Sequence, residues 1–108
     1  MKESMARINE LAVVLGALAQ ETRLQIFLIL VENHEHGVCP GDIADRLKIP
    51  RNTLSFHLSL LSHAGLCTSA KKGKMIFYKP NCDTVRKSTQ FLFKNCCELK
   101  CVGKNRKS

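Results

Sequence analysis

The sequence predicts a mainly α-helical fold with one small β-hairpin, in the element order α-α-α-α-β-β-α. Apolar residues recur at helical spacing in several separate stretches, which is typical of helices with one buried face. A short run of strand-forming residues, 75–78, follows the fourth stretch and lies beside a Lys/Gly turn. The length of 108 residues fits a single domain over residues 1–108.

Two helices are predicted in the first third of the chain, at residues 6–18 and 21–33. Asn and Gly within residues 33–37 favour turns, and we expect them to end the second helix. The apolar residues expected to face the core repeat every three or four positions. They are Leu11, Val14, Leu15 and Leu18 on the first helix and Leu24, Phe27, Leu28 and Val31 on the second.

Two further helices are predicted at about residues 40–47 and 50–64, joined by a tight connection. Pro40 suits the first position of a helix, and Pro50 is expected to open the longer one. Gly65 is expected to end that helix. The face turned to the core carries Leu54, Leu58 and Leu61.

A short helix, a tight turn and a second helix with a polar outer face form the helix-turn-helix arrangement, here about residues 40–64. In this arrangement the second helix enters the major groove of DNA. The hairpin that follows, about residues 66–79, has predicted strands at 66–71 and 74–79 around a turn at residues 72–73. A basic hairpin in that position is a wing, so the sequence predicts a winged helix-turn-helix.

The last predicted helix covers about residues 83–98 and is expected to be capped by Asn81 or Asp83. Its apolar positions are Val85, Leu92 and Phe93.

The charge of the chain is concentrated in its last third. The formal net charge is +8, yet residues 1–70 hold six Lys/Arg against seven Asp/Glu, whereas residues 71–108 hold eleven against two. A basic small domain indicates an anionic partner, most often nucleic acid. The partner we expect is therefore double-stranded DNA.

Short polar side chains and one guanidinium on the fourth helix suit base edges and phosphates, and the wing lysines suit phosphates. The predicted DNA-binding residues are Arg51, Asn52, Thr53, Ser55, His57, Ser59, Lys71, Lys72 and Lys74. His57 lies near the boundary of the polar face, where it either braces the helix against the core or reaches DNA. Phe56 either contacts a thymine methyl group or covers neighbouring backbone.

The six cysteines raise the question of export. Residues 11–19 resemble a short signal-peptide core, but Glu3 and Glu10 break the positive region that should precede it. No segment approaches the roughly 18 apolar residues of a membrane span. We therefore expect a cytoplasmic protein with reduced thiols. We expect no enzyme activity, because the sequence offers no nucleophile–base pair, phosphate loop or carboxylate dyad.

Three stretches resemble the ArsR/SmtB family of metal-responsive winged-helix repressors. Residues 18–27 (LAQETRLQIF), 43–66 (IADRLKIPRNTLSFHLSLLSHAGL) and 71–78 (KKGKMIFY) are similar to its second-helix, helix-turn-helix and wing motifs. The resemblance implies a homodimer joined by the first and last helices, about residues 6–18 and 83–98. It also implies that the protein binds operator DNA when empty and is released by an inducer.

Members of this family place their inducer sites differently. Where arsenic sensors keep a Cys-x-Cys pair in the first helix of the motif, this chain has Cys39 and Gly41, and its last helix lacks the histidines that zinc sensors use. The remaining cluster, Cys96, Cys97 and Cys101, resembles the three-cysteine site of an arsenite-responsive subgroup. The resemblance thus implies As(III) or Sb(III) as the inducer and no organic cofactor.

Three clustered thiolates suit As(III), which forms a three-coordinate pyramid, better than zinc, which prefers four ligands. Cys97 and Cys101 share a helix face, whereas Cys96 and Cys97 diverge by about 100°. One small ion therefore cannot gather all three sulfurs unless the helix distorts, and we expect that distortion to be the switch. Thiol oxidation, another soft metal and the absence of any sensing remain open as alternatives.

The other potential ligands are interpreted as structural or solvated. Cys39, Cys67 and Cys82 are expected to be small core or surface residues, and His34 and His36 are expected to be solvated in a turn. Whether Cys39 or the two histidines form a second site stays open.

Overall fold

A computed structural model describes the backbone of residues 2–98 and the side chains of residues 5–96. The elements follow the predicted order α-α-α-α-β-β-α. They are α1 (Lys2–Leu18), α2 (Glu21–Glu32), α3 (Pro40–Leu47), α4 (Arg51–His63), β1 (Cys67–Lys72), β2 (Met75–Pro80) and α5 (Cys82–Glu98).

Pro40 and Gly65 mark helix ends as predicted, and Gln20 marks one that the sequence analysis did not single out. The Gln20 side chain accepts the backbone N–H of Arg23 at 2.9 Å and so caps α2. Pro40 opens α3 as expected, and Gly65, with φ +78°, follows the end of α4. The left-handed conformation at Gly65 stops the helix because glycine adopts it without a side-chain clash.

Several predicted boundaries were wrong by one to four residues. α1 begins at Lys2 rather than residue 6, because polar residues that favour a helix precede the apolar stripe and carry no periodicity. Pro50 has an extended backbone and is the N-cap of α4 instead of its first residue. α5 begins at Cys82 and follows Asn81.

The hairpin turn also lies one residue later than predicted. β1 and β2 pair antiparallel with Lys72 opposite Met75, which leaves Gly73 and Lys74 as a two-residue turn. Gly73 has φ +64° at the first turn position, where a tight hairpin requires a positive φ. The predicted turn at residues 72–73 misplaced this glycine as the second turn residue.

The core is apolar and is formed by one face of each of α1–α4 together with the base of the hairpin, and Val85 of α5 packs against it while partly exposed. Its fully buried large side chains are Ile26, Leu30, Ile43, Leu54, Leu61 and Leu66. The predicted face of α2 was wrong in part. Phe27 is buried and Val31 packs against the core as predicted, but Leu24 and Leu28 are 42% and 52% exposed while Ile26 and Ile29 are buried. α2 is apolar on nearly all sides, so helical periodicity alone does not select the buried face.

Backbone contacts fix the wing and α5 against the rest of the fold. Val38 forms an isolated antiparallel bridge to Tyr78, with N···O distances of 2.8 and 2.9 Å. The Thr84 hydroxyl donates to the Gly65 carbonyl oxygen at 2.6 Å, which ties the start of α5 to the end of α4. Main-chain hydrogen bonds therefore hold the wing to the segment before α3, and a side-chain hydrogen bond holds the start of α5 to the end of α4.

Among residues 2–98, no single helix is long and apolar enough to span a membrane. Met5–Leu18 and Glu21–Glu32 reach that length and hydropathy only as a pair, with a bend of 93° between them.

Lys48 closes α3 in the left-handed conformation, with φ 57° and ψ 47°. It is the one non-glycine residue with a positive φ in the described part of the chain. Because its side chain is exposed, Lys48→Gly should remove this backbone cost and raise the free energy of unfolding by about 1 kcal/mol. Urea unfolding at fixed protein concentration measures the change. Lys48→Ala is the control, and a Gly variant no more stable than the Ala variant would contradict the prediction.

Candidate nucleic-acid interface and thiol site

The outer face of α4 is polar and open to solvent. Leu54, Leu58 and Leu61 anchor the opposite face and are at most 2% exposed. Five of the predicted DNA-binding residues of α4 are exposed. They are Arg51, Asn52, Thr53, Ser55 and Ser59. The buried leucines therefore fix which side of α4 is presented to a partner.

Arg51 lies across the helix-turn-helix rather than extending freely from α4. A methyl group built on Gly41 would come within 3.0 Å of Arg51 Nη2, so the guanidinium covers the first turn of α3. A cation held between the N-terminal ends of two helices is suited to a phosphate group. Any side chain at position 41 would require Arg51 to move.

His57 is half-buried and contacts Arg23, a link that the sequence did not predict. Arg23 Nη1 lies 3.4 Å from His57 Nδ1, and Arg23 Nε donates to the Ala17 carbonyl oxygen at 2.7 Å. Because a guanidinium carries only donors, His57 Nδ1 accepts, which places the imidazole proton on Nε2. Arg23 thus connects the C-terminal end of α1 to α4. The sequence signal for it was its place in the stretch at residues 18–27.

Burial lowers the pKa of His57 below its ordinary value of 6.5, and the positive charge of the nearby Arg23 guanidinium lowers it further. The unfolded chain therefore binds this proton before the folded chain does, so stability falls as the pH drops below 6.5 and the loss ends below the folded-state pKa. We expect urea midpoints measured at pH 7.5 and at pH 5.5 to differ more for the wild type than for His57→Gln. The remaining histidines are common to both proteins. An equal pH dependence in the two would contradict this account.

The wing presents a cluster of positive charge next to α4. Lys71 and Lys72 end β1, Lys74 lies in the turn, and all three are exposed. The Lys72 ammonium lies 5.4 Å from the centre of the Phe77 ring, which holds it on one side of the hairpin. The structure therefore brings the predicted α4 residues and the predicted wing lysines onto neighbouring exposed elements.

The predicted thiol site lies at the end of α5 and is described only in part. Cys96 and Cys97 fall in the last turn of the helix, and the Cys96 side chain is exposed. The side chain of Cys97 and the whole of Cys101 lie outside the described residues. Three residues before Cys96, Phe93 is 71% exposed.

The other cysteines and the histidine pair match their structural interpretations. Cys39 and Cys67 are buried, and Cys82 is exposed at the start of α5. Burial raises the pKa of the Cys67 thiol, which makes it less reactive. His34 and His36 are both exposed. Among the side chains of residues 5–96, no three His, Cys, Asp or Glu residues lie together in a way that would hold a metal ion.

The fold and this basic face define a winged-helix DNA-binding protein. A family model described as a helix-turn-helix domain matches residues 18–69. A Staphylococcus aureus protein named cadmium resistance transcriptional regulatory protein CadC homolog is 30% identical over 104 residues, covering 94% of this chain and 84% of the relative. The chain belongs to the ArsR family of winged-helix transcriptional regulators.

Other relatives and solved structures agree with this family. The HTH-type transcriptional regulator YbzH of Bacillus subtilis is 35% identical over 91 residues, covering 73% of this chain and 91% of the relative. The arsenical resistance operon repressor of Escherichia coli is 42% identical over 62 residues, covering 57% and 51%.

Among solved structures, an ArsR-like transcriptional regulator from Rhodococcus sp. RHA1 has a TM-score of 0.77 at 30% identity, covering 86% of this chain and 85% of that one. The homodimeric winged helix-turn-helix DNA-binding domain Mb0332 from Mycobacterium bovis has a TM-score of 0.70 at 24% identity, covering 93% and 89%, and this likeness concerns the fold alone.

Proposed function

We propose that this chain is a homodimeric repressor that binds operator DNA when empty and releases it when As(III) or Sb(III) binds Cys96, Cys97 and Cys101. The observation that carries the proposal is the exposed Cys96 thiol in the last turn of α5, a helix whose neighbouring apolar side chains are uncovered. The protein acts without catalysis, in the cytoplasm.

Homodimer formation is supported by apolar side chains left exposed on the first and last helices. Met5, Ile8 and Leu15 on α1 are 66%, 50% and 42% exposed, and Leu92 and Phe93 on α5 are 40% and 71% exposed. A short domain often covers such surface by pairing with a second copy. The Mb0332 domain, which shares the fold, is itself described as homodimeric.

The donor set fits a soft metalloid. Thiolates are the ligands that As(III) prefers, and three of them complete its pyramidal coordination. Cys96 and Cys97 are adjacent in a regular helix, so their side chains leave the axis about 100° apart. Bringing both sulfurs together with Cys101 requires the last turn of α5 to unwind.

Unwinding at that point acts on the dimer. Phe93 lies one turn before the cysteines, so a change in the last turn moves the apolar surface proposed to join the two subunits. Two α4 helices reach successive major grooves only when their separation matches one turn of DNA. A coupling of about 1–3 kcal/mol between the thiols and this separation weakens DNA binding about 5–150-fold.

Operator binding measured by fluorescence anisotropy during As(III) titration tests the proposal. The wild type should lose affinity about 5–150-fold, whereas Cys96→Ser, Cys97→Ser and Cys101→Ser should each bind DNA normally and respond little. Cys82→Ser is the matched control, since it removes an exposed thiol at the other end of α5, and it should respond like the wild type. Release that persists in all three variants would reject the site.

A second candidate inducer is another soft metal, which the cadmium resistance name of the S. aureus relative favours. Titration with Cd(II) in place of As(III) distinguishes the two.

Thiol oxidation is a further alternative switch, because the Cys96 thiol is accessible. Mass spectrometry of air-oxidised protein detects the resulting disulfide, and release by oxidant alone would favour that switch.

A further inference from the structure

Phe56 is a large apolar side chain on the otherwise polar outer face of α4. It is 61% exposed, although phenylalanine is usually found inside proteins. Asn52 lies one turn before it and Ser59 one turn after it, and both are exposed. Phe56 is therefore at the centre of the surface that α4 presents.

Packing among the side chains of residues 5–96 does not account for the position of Phe56. Phe56 is two positions from Leu54 and two from Leu58, which turns its side chain about 200° away from each of these core residues. The Phe56 ring lies beside the His57 ring, with ring centroids 6.0 Å apart and ring planes at 57°. Because the Phe56 ring leaves most of its surface in solvent, the interpretation that it covers neighbouring backbone is not supported.

The surroundings of Phe56 match DNA better than a protein partner. Short hydrogen-bonding side chains flank it on α4, and the adjacent wing carries three exposed lysines. Such a surface suits a polyanion with polar groups in its groove. The apolar group that the major groove of DNA offers is the 5-methyl group of thymine.

We propose that Phe56 determines operator specificity by packing against a thymine 5-methyl group in the major groove of each half-site. This inference rests on the proposed operator binding. Cytosine, adenine and guanine offer no methyl group there, so the contact selects a thymine at one position of one strand. Asn52, Ser55 and Ser59 supply the hydrogen bonds around it.

Replacement of single thymines by deoxyuridine tests this contact, because it removes the methyl group and keeps base pairing. The probe is a duplex recovered by in vitro selection on the full-length wild-type chain. Uracil at the contacted position should weaken wild-type binding about fourfold in one half-site and about fifteenfold in both. Phe56→Ala should bind the thymine duplex more weakly and show no further loss with uracil.

Ser59→Ala is the matched control, since loss of this neighbouring hydroxyl should weaken binding to the thymine and uracil duplexes equally and so keep the uracil effect. Phe56→Leu retains an apolar side chain and should keep part of the uracil effect. It provides a second variant if the alanine variant unfolds. Equal uracil effects in the wild type and the Phe56 variants would overturn the inference while leaving operator binding intact. Failure of the wild type to enrich any duplex would instead reject operator binding itself.

Discussion

Replacing Lys71, Lys72 and Lys74 together with glutamine is expected to weaken DNA binding on the order of a hundredfold or more at about 0.1 M salt. All three lysines are exposed at the end of the wing, and three per subunit provide six charges in a dimer. Each phosphate contact releases counterions, so the slope of log affinity against log salt should flatten by about five if all six engage. The loss should be similar on operator and random duplexes, because phosphate contacts do not read sequence.

The matched control replaces the same three lysines with arginine. It preserves the charge on the same hairpin and should keep the slope of the wild type. Binding measured by fluorescence anisotropy at several salt concentrations gives both slopes. A glutamine variant whose slope equals that of the wild type would show that the wing does not contact DNA.

Leu54→Ala is expected to cost about 3 kcal/mol of unfolding free energy. Leu54 is fully buried on the core face of α4, and removal of its side chain leaves a cavity that the helix cannot close. Since small domains are stable by about 5–15 kcal/mol, this is a large fraction of the total. Loosening α4 at this point should also disorder the face that carries Ser55.

Urea unfolding at fixed protein concentration measures this loss. Ser55→Ala, one residue further along the same helix and exposed, is the control and should change stability by less than about 0.5 kcal/mol. If Leu54→Ala were as stable as Ser55→Ala, the assignment of α4 faces would be wrong.

The exposed polar face of α4 and the basic hairpin were predictable because local signals agree there. The leucines of α4 repeat at helical spacing, and the lysines of the wing surround a glycine that requires a hairpin turn. These patterns depend on residues close together in the chain. The same local signals placed Cys96 and Cys97 near the end of the last helix, where the structure also has them.

The remaining features depend on tertiary contacts. The exposed residues Leu24 and Leu28 fit helical spacing just as closely as the buried residues of α2 do. Only packing therefore decides which face of α2 is inside. Arg23 and His57 are 34 residues apart and meet because α2 packs against α4. The tight connection between α3 and α4 imposes the left-handed backbone conformation of Lys48. A lysine gives no sequence signal for that conformation.

Hydrogen exchange of the backbone amides of residues 92–98, with and without As(III), measures whether the last turn of α5 unwinds when the metalloid binds. As(III) is expected to speed exchange in this last part of α5 in the wild type, at the same concentration that releases DNA, and to have no effect in Cys96→Ser. Release of DNA by As(III) with unchanged exchange over residues 92–98 would contradict it.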